Sequence, residues 1–122
     1  MSRRARLEPT TLGRVPRDAV VSYEPVDDDG VVDAALDGEL DLDRADAVRD
    51  NLAAAAAEPA CRFLRVDVSR VGFIDSYALG ALVSARNTAA AHGVVLTLVD
   101  PSPPVRKAIA VTGLADVFGL PA

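Results

Sequence analysis

The 122-residue chain is half hydrophobic and one-quarter charged, with a net charge of −5, a length that suits one domain burying about two thirds of its unfolded surface. A single cysteine, Cys61, and a single histidine, His92, exclude an internal disulfide framework, a cysteine-clustered metal site and a His-rich centre. Five aromatics without tryptophan argue against a base-stacking nucleic-acid platform, and no apolar run reaches the roughly 18 residues of a membrane span. The N-terminal arginines precede no apolar signal segment. An acidic, cytoplasmic domain is expected, with no direct contact to DNA, RNA or membrane.

Residues 1–17 carry Arg3, Arg4, Arg6, Arg14 and Arg17 against Glu8, a net of +4. With Pro9, Gly13 and Pro16 and no apolar period, they are expected to form a flexible basic tail ahead of a domain over 18–122. Residues 18–50 hold twelve acids against Arg44 and Arg49, a net of −10. A surface this negative repels nucleic acid and favours a basic protein partner.

Ala19–Glu24 reads as a strand ending at Pro25. Asp27-Asp28-Asp29-Gly30 is a turn, and Val32, Ala34 and Leu36 alternate with Asp33, Ala35 and Asp37 as a strand with one wet face. Together they form a hairpin. The second strand is expected to break at Gly38. The period then changes: Ala45, Val48, Leu52 and Ala55/Ala56 share one helical face from Leu42 to about Ala57. Asp41 or Asp43 is the expected N-cap, and Pro59 ends the run.

Phe63–Val68 alternates as a third strand, and Ser69-Arg70-Val71-Gly72 leads on to Phe73-Ile74-Asp75-Ser76. A helix is expected from about Ser76 to His92, buried along Leu79, Leu82, Val83 and Ala90, with Gly93 at its end. Val94–Val99 is almost wholly apolar, which predicts a central, covered strand. Pro104 suits the first turn of a last helix, roughly Val105–Val111. The order is ββαβαβα: an α/β domain whose mixed sheet of about four strands is joined by crossover helices.

Asp75-Ser76 is the most informative pair. It lies at a helix N-terminus, where free N–H groups and the dipole receive an anion, although a plain N-cap accounts for the same residues. A serine nucleophile finds no support: no G-x-S-x-G turn surrounds Ser76. His92 stands sixteen residues on, about 24 Å along the same helix. Gly38-Glu39-Leu40-Asp41 reads alone as a turn glycine with capping acids. Asp27–Asp29 lacks the spacing and terminal Glu of a calcium loop, so it reads as a solvated hairpin tip. Gly72, Gly80, Gly93 and Gly113 make no phosphate loop. Cys61 begins the third strand and reads as a small buried hydrophobe.

Three segments together resemble the STAS family, the sulfate-transporter and anti-sigma-factor-antagonist domains. They are the strand ending Gly38-Glu39-Leu40-Asp41, the strand and loop Phe63–Ser69 with Phe73-Ile74-Asp75-Ser76, and Val105–Leu114 ending Thr112-Gly113-Leu114. The resemblance implies an anti-sigma factor antagonist, not an enzyme and without a cofactor or metal. It implies a partner anti-sigma factor with serine kinase activity, phosphorylation on Ser76, and a serine phosphatase that resets it. It places partner binding at Gly38, Asp41, Asp75, Tyr77, Leu79 and Gly80. The common D-S-[S/T]-G-L-G pattern here reads Asp75-Ser76-Tyr77-Ala78-Leu79-Gly80. That departure favours a second reading, a non-phosphorylated STAS scaffold regulating a transporter ATPase. Leu120-Pro121-Ala122 comes ahead of the final strand and helix of many members, so one sheet edge or helix face is expected to be less covered.

Overall fold

The computed structural model describes residues 21–120. The expected basic tail, the first residues of the leading strand (Ala19 and Val20) and the last two residues lie outside them. The chain runs β1 (Val21–Tyr23), β2 (Val31–Leu40), α1 (Leu42–Ala56), β3 (Phe63–Ile74), α2 (Ser76–Ala91), β4 (Val95–Val99), α3 (Pro103–Thr112) and a short 3-10 helix (Asp116–Phe118). The sheet order is β1-β2-β3-β4. The β1–β2 hairpin is antiparallel, and β2–β3 and β3–β4 are parallel pairs bridged by α1 and α2. At the hairpin tip the Asp27 carboxylate accepts from the N–H groups of Asp29 (2.8 Å) and Val31 (2.9 Å), so that acid is turn chemistry.

Alternation decides which sheet face is covered. Val32, Ala34 and Leu36 of β2, Leu64, Val66 and Val68 of β3, and Leu96 and Leu98 of β4 are all buried. They pack with Val48 and Leu52 of α1, Leu82 and Ala85 of α2, and Val105 and Ile109 of α3. The helices therefore share one face. The other face is open.

Several expectations are corrected. Gly38 does not end β2: it takes φ +98 inside the strand, where the β2–β3 register shifts. That backbone favours glycine, and the strand continues through the bulge to Leu40. β3 does not end at Val68 but runs to Ile74, and its core parity flips from Val68 to Val71 across the irregular register. β4 is an edge strand, with Val95 and Val99 exposed; an apolar run does not by itself place a strand at the centre of a sheet. Ala90 is exposed, because the buried line of α2 runs through Ala78, Leu82, Ala85 and Ala89. Cys61 precedes β3 and is only half-buried. α3 starts two residues earlier than expected, since Pro103 and Pro104 both fit its first turn.

Ser102, the residue before α3, is buried. Its hydroxyl donates to the Val71 carbonyl at 2.6 Å, and its N–H donates to the Val68 carbonyl at 3.2 Å. These bonds fasten α3 to the irregular stretch of β3. Ser102→Ala leaves the Val71 carbonyl without this donor and should lower stability by about 1–2 kcal/mol. Thermal melting should fall by roughly 4–16 °C.

Candidate functional site

Strands β2 and β3 are parallel and end side by side, with Glu39 opposite Phe73 and Leu40 opposite Ile74. Each is followed by one capping residue and then a helix: Asp41 before α1, Asp75 before α2. Two helix N-termini thus open together at the carboxyl end of the parallel strands, the usual place for binding in such sheets.

Asp75 joins them. Its Oδ1 accepts from the Ala78 N–H of its own helix at 2.9 Å, and its Oδ2 accepts from the Leu42 N–H of α1 at 2.9 Å. Its own N–H donates to the Leu40 carbonyl at 3.1 Å. One carboxylate satisfies a free donor on each helix. Neither Asp41 nor Asp43 supplies the side-chain cap expected for α1. Asp41 stands at the N-cap position with extended backbone but makes no cap bond; its Oδ1 has no hydrogen-bond partner and lies 3.9 Å from Arg44 Nη1. Asp41→Ala should therefore change thermal stability by no more than about 0.5 kcal/mol, because the variant loses only a long, half-exposed ion pair and at the same time removes a shielded oxygen that no donor satisfies. A larger loss in a melting curve would show that Asp41 caps α1 after all.

Ser76 is the first residue of α2 and is exposed, with Tyr77 beside it at 62% exposure. Gly80 is exposed one turn on, whereas Leu79 is buried and its side chain faces the core. Gly38 sits in the β2 bulge, half-buried, three residues short of Asp41. The site thus gathers Asp41, Asp75, Ser76, Tyr77 and Gly80 at its surface, while Leu79 supports it from beneath. His92 is at the far end of α2, bonded to the Thr88 carbonyl of its own helix, so it does not meet Ser76.

Leu42 (57% exposed) and Phe73 (48%) join Tyr77 in an apolar collar on the residues flanking Asp41 and Asp75. Sequence reasoning missed both. Leu42 lies three residues before Ala45 and so falls on the apolar period of α1, yet as the first helical residue it stands just past the carboxyl end of β2 and is exposed. Phe73 shares the parity of buried Val71 and would point inward, but β3 takes an extra residue at Gly72, where the register shifts a second time, and this turns Phe73 outward and Ile74 back to the core. Arg44 was also missed as a neighbour of this site: it lies in the first turn of α1, its guanidinium 3.5 Å from the Glu39 carbonyl.

These features define a single four-stranded α/β domain whose exposed serine and paired helix starts lie at the carboxyl end of its two inner strands. Residues 23–121 match the STAS domain family, and the chain belongs to it. It is 28% identical to the anti-sigma F factor antagonist of Paenibacillus polymyxa over 89 residues, 73% of this chain and 76% of that protein. Among solved structures it resembles an anti-sigma factor antagonist from Mycobacterium paratuberculosis (27% identity, TM-score 0.64, 82% of this chain and 84% of that one). It also resembles the Bacillus cell fate determinant SpoIIAA in its phosphorylated form (26% identity, TM-score 0.61, 79% and 86%). Among the described residues no helix is long and apolar enough to cross a membrane.

Proposed function

We propose that the chain is a non-catalytic anti-sigma factor antagonist in a partner-switching pathway. Unphosphorylated, it binds an anti-sigma factor that has serine kinase activity. Phosphorylation on Ser76 releases it, and a serine phosphatase restores it. The observation that carries this reading is Ser76 exposed at the start of α2, bordered by the apolar side chains Leu42, Phe73 and Tyr77. A partner covering that collar removes apolar surface from water and brings its own active site onto the hydroxyl. A phosphoryl group adds about −1.5 to −2 charges beside Asp75 and near Asp41, whose neighbour Arg44 offsets only part of that charge, and docking would have to desolvate it.

Gly80 supports the same surface. It is exposed inside α2, and a Cβ placed there meets nothing within 4 Å. A helix-interior glycine is about 1 kcal/mol less favourable than alanine, and nothing in the fold requires it. Close approach of a partner does. Gly80→Ala should raise stability by about 0.5–1 kcal/mol while weakening partner binding. If melting temperature and affinity rise together, Gly80 is not at the interface.

The decisive experiment is mass spectrometry of the protein isolated from its host, with titration of its phosphorylated and unphosphorylated forms against the anti-sigma factor. Phosphate on Ser76 and loss of binding in that form are expected. An unmodified Ser76 with constant binding would assign the chain to the constitutive scaffold reading.

A further inference from the structure

Seven large apolar side chains stand exposed among the described residues: three form the collar, Val111 lies on α3, and the other three share the open face of the sheet. That face is ordered in rows across the strands. Val31, Phe63 and Val95 are aligned as one row, Asp33, Arg65 and Thr97 as the next, and Ala35, Asp67 and Val99 as a third. The Asp33 and Arg65 side chains pair at 2.9 Å, and an open cleft of ≈ 420 Å³ runs over the charged rows, bordered also by Glu24. Asp33 and Arg65 offset each other, and Asp67 leaves these rows with a net charge of −1. An apolar row on a face whose charged rows sum to a negative value suits a segment that carries both arginines and aliphatic side chains.

We propose that this open face binds the chain's own arginine-rich N-terminal segment, residues 3–17. That segment has a net charge of +4 and carries Leu7, Leu12 and Val15, the chemistry the face lacks. It leads into β1, one edge of the same sheet. Three strand spacings of about 4.8 Å separate β1 from β4, about 14 Å in all. Arg17 lies four residues before Val21 and Arg14 seven, so an extended chain reaches about 14 Å and about 24 Å respectively. Both can reach Asp67, and Leu12 can reach the apolar row. A short tether holds the segment at an effective concentration of about millimolar, so a weak contact suffices. A second copy of the face is a poor occupant, because two surfaces of like net charge repel. The inference stands apart from the phosphorylation switch, which uses the opposite features of the domain.

The test uses the full chain with Cys61→Ser and a nitroxide on Thr10→Cys, reading the broadening of methyl resonances. Val31, Val95 and Val99 should broaden strongly and the helix-side methyls of Leu52 and Leu82 should not. Salt near 1 M, where the Debye length is about 3 Å, should reduce the effect, as should Asp67→Lys, by about twofold or more. Should Asp67→Lys fail to fold, Arg14→Glu with Arg17→Glu makes the same decision without touching the sheet. Uniform broadening, or broadening indifferent to both charge reversals, overturns the proposal. So does broadening seen only between differently labelled molecules, which would identify a second copy as the occupant.

Discussion

Ser76→Ala is expected to bind the anti-sigma factor as wild type does, and Ser76→Asp to bind about 10–100-fold more weakly, a difference of about 1.4–2.7 kcal/mol. The helix cap belongs to Asp75, whose carboxylate bonds the Ala78 N–H. Ser76 is the first helical residue, where alanine is well tolerated, so Ser76→Ala should alter stability by no more than about 0.5 kcal/mol. Aspartate at this position meets the positive end of the α2 dipole and should not destabilise the free protein. Its penalty arises on docking, when the charge loses water next to Asp75 and Asp41 within an apolar collar. Isothermal titration of the three proteins against the anti-sigma factor, with a melting curve for each, reads both halves of the expectation. Equal affinities for all three would remove Ser76 from the switch.

Asp75→Ala should be the most destabilising change at the site. It frees two helix N-terminal donors, one on each of α1 and α2, that now share a carboxylate at 2.9 Å each. Each charge-assisted bond contributes more than a neutral one, though partial exposure moderates it. A loss of about 2 kcal/mol is expected, or roughly 8–16 °C in melting temperature. Asp75→Asn should recover part of this, because its one amide oxygen accepts from one helix while its NH2 group faces the other donor. Partner binding should fall in both variants, since the collar residue Leu42 is held beside Ser76 through that bond. If Asp75→Asn melts like wild type, the shared cap contributes little and the two helix starts are aligned by the strands alone.

Periodicity along the chain was enough for the order of elements. Alternation at Val32–Leu36 and Phe63–Val68, helical spacing at Ala45–Ala56, and stops at Pro59 and Gly93 are local signals that packing did not override. The Asp75-Ser76 pair was legible for the same reason: a capping residue followed by helix is a short-range pattern. The nature of each edge and face was not. Leu96 and Leu98 of β4 are apolar because they face the core, yet the place of β4 at the edge, which leaves Val95 and Val99 exposed, follows from the strand order, which no local window contains. The strand-like run to Leu40 looked broken at Gly38 because a positive-φ glycine marks a bulge as readily as a turn. That bulge, opposite Gly72, reverses the earlier parity flip in β3 and turns Phe73 outward. Asp75 caps a helix that begins 33 residues earlier because parallel pairing brings Leu40 and Ile74 side by side. Local propensity places Ser76 at a helix start; long-range strand pairing surrounds it with Leu42, Phe73 and Arg44 and makes that start a surface.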